Sequence, residues 1–196
     1  MKLYYKAGAC SLADHIALIE AGLPYTLVAV DLRTKQTEDG RDFLGISPKG
    51  YVPALELDGG EVLSENIAVL GAIAEMGGTL MPSHGLPRWR VVEMTAFVSA
   101  EVHKNYKPFF NPAASDAERD EARTALAKRF DFLDRALDGR EFIVGDTLTI
   151  ADCYLVVMLM WAGRQAIALP ANLSAYFGRM IARPSVKQAL EEEGLA

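Results

Sequence analysis

With 196 residues, 51% of them hydrophobic and 23% charged, the chain can bury a sizeable core, which excludes a disordered tail or a disulfide-stapled miniprotein and suits two small domains. A net charge of −6 and the lack of any basic run exclude nucleic acid as a partner. Residues 1–80 hold six basic against eleven acidic side chains, so an anion bound there must be held by a few local donors and not by the overall field.

Lys2 to Tyr5 is a short β-prone run. The Ala7-Gly8-Ala9 break then leads to Ser11, whose hydroxyl is placed to cap a helix with Leu12, Ile16 and Ile19 on one face, ended by Gly22 and Pro24. Tyr25 to Leu32 is rich in β-branched and aliphatic residues and reads as a strand buried on both faces. With a helical crossover between them, these two strands should be parallel. A polar stretch, Thr34 to Asp42, and a weak apolar patch, Phe43 to Ile46, precede loop chemistry at Ser47-Pro48-Lys49-Gly50. Val52 to Leu57, Asp58-Gly59-Gly60 and Glu61 to Ser64 form a hairpin pattern. Ser64 stands at the N-cap of a helix through Met76 that Gly77-Gly78 would stop.

Residues 81–87, with two prolines, read as a linker between a domain over 1–80 and an all-helical domain over 88–196. Helical spacing covers Arg88 to Lys107, Asp116 to Leu137, Thr149 to Ala168, Leu173 to Ala182 and Val186 to Glu193. The longest weakly polar run, Cys153 to Gly163, falls short of the about 20 residues that span a bilayer and reads as a buried helix, so no membrane association is expected. There is no signal-like apolar segment near Lys2 and Lys6, and two distant cysteines fit a reduced, cytoplasmic protein. Cys10, Cys153, His15, His84 and His103 have no metal-ligand spacing, so no metal is expected.

Four places carry candidate chemistry. Cys10 lies at a strand-to-helix junction, where the positive helix end stabilises a thiolate; the bland alternative is a small buried hydrophobe. Pro53 opens a strand, where a cis bond after Val52 would turn the Val52 main chain outward for strand addition by a peptide, although trans is the commoner form. Ser64-Glu65-Asn66 offers a hydroxyl and helix N–H groups for a carboxylate and an acid for an ammonium; a plain helix cap explains the same letters. His103, beside Lys104, could hydrogen-bond or protonate near neutrality, or simply pack. Thr149 and Asp152 form a capping box, a folding signal that leaves Cys153 structural.

The ordered segments Leu3-Tyr4-Tyr5, Gly8-Ala9-Cys10-Ser11-Leu12, Ser47 to Leu55, Ser64-Glu65, Glu101-Val102-His103-Lys104, Thr149-Ile150-Ala151-Asp152 and Arg183-Pro184-x-Val186 resemble a bacterial beta-class glutathione transferase along the whole chain. The resemblance implies an α/β thioredoxin-like N-terminal domain that binds glutathione and an all-α C-terminal domain. It also implies a cytoplasmic homodimer that conjugates glutathione to small hydrophobic electrophiles in detoxification. By that likeness Cys10 and His103 are catalytic at the glutathione sulfur, and Lys35 meets the glycine carboxylate. Val52 and Pro53 meet the cysteinyl backbone, Ser64, Glu65 and Asn66 the γ-glutamyl end, and Ser11 and Lys104 also contact glutathione. Tyr106, Phe110 and Trp161 would line the apolar pocket. Two alternatives stay open: thiol transfer or peroxide chemistry through a Cys10–glutathione mixed disulfide, and a non-catalytic glutathione-binding regulator.

Overall fold

A computed structural model describes residues 1–196. It resolves into two compact units, Met1–Ser83 together with Arg183–Ala196, and His84–Ala182. The region read as one helical domain over 88–196 is therefore divided, its last segment belonging to the first unit.

In the first unit, β1 (Lys2–Tyr5) leads into α1 (Leu12–Glu20), followed by β2 (Thr26–Asp31), β3 (Gln36–Thr37), α2 (Phe43–Ile46), β4 (Ala54–Glu56), β5 (Val62–Ser64) and α3 (Asn66–Gly77). The sheet runs β3-β2-β1-β4-β5, with β1 and β2 parallel and the other neighbours antiparallel. The expected parallel pair and the hairpin are thus present, the latter turning through a Gly60 N–H to Leu57 carbonyl bond. Adjacent strand residues point to opposite faces, so the complete burial of both Leu3 and Tyr4 marks β1 as covered on both sides. On the Tyr4 side lie Val28, Val30, Phe43, Val52 and Ala54. On the other face α1 packs against α3 and against α9 (Pro184–Glu192).

Three expectations are corrected here. β2 buries only Val28 and Val30 and leaves Thr26 and Asp31 exposed, because its outer neighbour is just two residues long. Ser11 does not cap α1 with its hydroxyl, which closes the preceding loop on the Lys6 N–H and carbonyl. Ser64 ends β5 in register with Ala54, and Glu65 is the N-cap of α3.

The second unit holds α4 (Gly85–Phe97), a π-helical turn Val98–Val102, a 3-10 turn His103–Tyr106, α5 (Lys107–Phe110), α6 (Asp116–Ala136), α7 (Ile150–Arg164) and α8 (Ala171–Ile181). The expected helix Arg88 to Lys107 is broken. Pro108 has no N–H for the Lys104 carbonyl, which instead takes the Lys107 N–H in a tighter turn. Helix α7 is its hub, buried without interruption from Ile150 to Leu159, as its apolar run predicts, and no helix is long and apolar enough to cross a membrane. It starts on the predicted Thr149–Asp152 capping box.

Candidate active site

The loop between β1 and α1 carries Cys10. Gly8 takes φ 67, and the Ala9 N–H bonds the Lys6 carbonyl, so the chain folds back before the helix begins. This leaves Cys10 half-buried with its Sγ donating to the Val52 carbonyl at 3.5 Å. The stabilised thiolate expected from the helix end is not what this geometry gives. Burial, and then the nearby Asp14 carboxyl, push the Cys10 thiol up to about 12, outweighing the backbone N–H groups. Cys10 is a protonated thiol at neutral pH.

The Val52–Pro53 bond is cis, and the Val52 N–H meets no acceptor in the chain. Lys35, just after β2, takes φ 59 and its Nζ donates to the Gly50 carbonyl at 2.7 Å, with no carboxylate partner. At the start of α3, Glu65 is held at φ 80, a conformation sparsely populated for a residue with a side chain and typical of over-determined functional positions. Its Oε1 accepts from Lys49 Nζ at 2.6 Å and Tyr51 Oη at 2.7 Å, which hold its carboxyl below the usual range and leave Oε2 open. Lys49 and Tyr51 carry no signal as site residues in the sequence, which shows them as loop letters with nothing local to pair them with Glu65. The Ser64 hydroxyl is partly exposed and has no protein partner.

Asn66, the first residue of α3, is buried, and its Nδ2 donates inward to the Cys10 carbonyl at 3.0 Å and to Asp14 Oδ2 at 3.2 Å, so its side chain braces the loop. Asp14 is wholly buried, its Oδ1 has no partner, and burial pushes its carboxyl well above the ordinary value. The folded chain thus keeps a proton that an unfolded carboxyl near about 3.9 gives up, so the stabilisation is complete below that value and is lost as pH rises through the folded one. Asp14→Asn is therefore expected to gain stability over the native protein progressively as pH rises above about 4, by up to about 1.4 kcal/mol per pH unit. Urea unfolding of both proteins across that range checks this, and a pH-independent difference would contradict it.

In the second unit His103 sits on the 3-10 turn, its Nδ1 sharing a 2.6 Å hydrogen bond with Tyr154 Oη. Its ring meets the Trp161 ring edge-on at 5.0 Å, and burial brings its pKa down to about 4, so it is neutral near pH 7. Phe110 and Lys104 line a recess with His103. Tyr106 is corrected: it is completely buried, its Oη donates to the Met158 carbonyl, and it supports Trp161 from behind as core. Trp161 is nearly buried and is reached through Phe110. Asp152 serves folding, accepting from Thr149 N–H and Oγ1, Ile143 N–H and Tyr176 Oη.

Residues 9–76 match the family model of the glutathione S-transferase N-terminal domain and residues 97–184 that of its C-terminal domain. Glutathione S-transferase GstA of Escherichia coli O157:H7 is 39% identical over 200 residues, covering all of both chains. The solved bacterial beta-class glutathione S-transferase of Sphingomonas chungbukensis superposes with a TM-score of 0.93 at 43% identity, again over 100% of both chains. The chain belongs to the glutathione S-transferase family, in its beta class. A sphingomonad glutathione S-transferase complexed with glutathione is similarly close, with a TM-score of 0.93, 42% identity and 100% of each chain covered. For a glutathione S-transferase the ligand is an extended tripeptide with two carboxylates, one ammonium and one thiol. The groups present complement it: three kinds of donor, an open main-chain N–H at Val52, a lysine without an acidic partner and a helix N-terminus, and one acceptor, an open carboxylate oxygen of Glu65.

Proposed function

We propose that this protein binds glutathione in its first unit and joins the glutathione sulfur to small hydrophobic electrophiles. The observation that carries the reading is the Cys10 thiol against Val52, whose N–H stays open for strand addition by a peptide. In this reading Val52 pairs with the cysteinyl main chain and Lys35 with the glycine carboxylate. The Ser64 hydroxyl and the α3 N-terminus take the γ-glutamyl carboxylate, and Glu65 Oε2 takes its ammonium. The glutathione thiol gives up its proton to solvent, its sulfur attacks the electrophilic carbon, and the leaving group departs with its bonding pair. His103, being neutral, offers hydrogen bonds and not charge to this step. The same reading makes the protein a cytoplasmic homodimer in detoxification that needs no metal.

Conjugation is favoured over thiol exchange because Cys10 is held as a thiol, and the thiolate is the reactive form. Retention on immobilised glutathione and turnover of a chlorinated dinitrobenzene are expected; failure of both would reject the reading. Cys10→Ala should keep conjugation within about tenfold of the native rate, or about 1.4 kcal/mol, while abolishing any thiol transfer. Equal loss of both activities would give Cys10 one shared role instead.

A further inference from the structure

The conjugation step has no use for Asp14, yet the chain keeps this carboxyl wholly buried in the first turn of α1, shortly after Cys10. Its Oδ1 has no partner, and its Oδ2 accepts from Asn66 Nδ2 at 3.2 Å. A buried acid left half unpaired works against the stability of the fold. A group retained under that penalty beside a reactive atom is where function is to be sought.

Asn66 fixes how Asp14 stands to Cys10. The same Nδ2 donates to the Cys10 carbonyl at 3.0 Å, and the Ala13 N–H closes a turn on that carbonyl at 3.1 Å. Acid and thiol are thus tied to one amide, and Asp14 is the charged group that acts most on the sulfur. Glu65 acts in the same sense but less, and Lys49 and Tyr51 keep it ionised. Helices α3 and α9 and strand β1 pack against α1. On these elements Glu75, Lys187 and Glu191 are exposed, and Lys2 and Tyr4 bind Glu56. Glu192 and Glu193, at the end of α9, face His15, and burial raises the Tyr5 phenol. None of them shifts Asp14, which answers to burial and to its own backbone.

We infer that Asp14 guards Cys10 against thiol exchange: as pH rises the carboxyl becomes an anion beside the sulfur, and the second negative charge that a reactive Cys10 needs is opposed there. The inference rests on the conjugation reading above and names the residue that decides between the two sulfur chemistries. In exchange with glutathione disulfide, Cys10 loses its proton to solvent, its sulfur bonds to one sulfur of the disulfide, and the S–S bond breaks. The released glutathione leaves with the bonding pair and takes up a proton, so the disulfide itself is the oxidant.

The first test needs no glutathione. Cys10 is alkylated with iodoacetamide, its sulfur displacing iodide, in the native protein and in Asp14→Asn from about pH 6 to about pH 9. The peptide that holds Cys10 is followed by mass, so that Cys153 is not counted. The rate of the variant divided by that of the native protein should climb about tenfold across this range. Asp14→Ser, also neutral, should climb alike, which covers a failure of the first variant to fold. Glu65→Gln removes a charge present throughout and should give a level ratio. With glutathione disulfide at about pH 9, Asp14→Asn should form the mixed disulfide about tenfold faster than the native protein. A level ratio in both Asp14 variants is the mark of a loosened loop and not of a titrating neighbour, and overturns the inference. So does an equal climb in Glu65→Gln, or a climb in Asp14→Asn without faster mixed disulfide. These results leave the conjugation reading standing; it falls separately, if calorimetry shows no binding of glutathione and chlorinated dinitrobenzene is not turned over.

Discussion

Asp152→Ala should lower the free energy of unfolding by about 3–5 kcal/mol, enough to remove a large part of the stability of an ordinary domain. The carboxylate sits at the start of α7 with no solvent exposure, and four donors converge on it. They are Ile143 N–H at 2.9 Å, Thr149 N–H and Oγ1 at 2.9 Å, and Tyr176 Oη at 2.8 Å. Truncation leaves each of these buried or nearly buried donors without an acceptor, at about 1–3 kcal/mol per stranded group before relaxation. It also removes one half of the capping box, by itself about 1 kcal/mol. Asp152→Asn keeps the shape and part of the acceptor capacity and should lose about half as much. Urea unfolding followed by circular dichroism reads both values, and a loss below about 1 kcal/mol for the alanine variant would show that the network does not hold the helix start.

Glu193→Ala is expected to have the next largest effect, about 2–4 kcal/mol, together with weaker binding of glutathione. The Glu193 side chain is fully buried; its Oε2 accepts from the Gly8 N–H at 2.8 Å and its Oε1 faces His15 Nδ1 at 3.1 Å. Gly8 begins the turn that presents Cys10, so removal of this acceptor loosens the loop as well as stranding two buried groups. Glu192 contacts His15 Nε2 at 2.8 Å from a position 34% exposed, and Glu192→Ala should cost only about 1 kcal/mol. Calorimetry with glutathione beside urea unfolding separates the two consequences. Equal effects of the two alanine variants would mean that burial of Glu193 is not what matters.

The elements legible in the sequence are those whose signals are local and redundant. Alternation and a Gly-containing turn mark the β4–β5 hairpin, and an apolar run behind Thr149-Ile150-Ala151-Asp152 marks α7. What escaped depends on partners far along the chain. A serine before a helix reads the same whether its hydroxyl caps that helix or, as at Ser11, closes the loop behind it. Asn66 looks like a ligand-facing amide until the structure places the Cys10 carbonyl and Asp14 against it. Tyr106 has the composition of a pocket residue, yet its hydroxyl is taken by Met158 inside the core. The clamp of Lys49 and Tyr51 on Glu65, like that of Glu193 on Gly8, joins segments that no motif connects. The sulfur chemistry differs for the same reason: a helix end raises the odds of a thiolate, whereas burial of the thiol, and then the buried acid one turn further on, work against it.

The contact of Glu193, the residue that follows α9, with the Cys10 loop also sets an order of events during synthesis. Gly8 and His15 leave the ribosome long before Glu193 does, so a nascent chain can lay down its sheet early but must wait for that carboxylate before the tripeptide cradle becomes rigid.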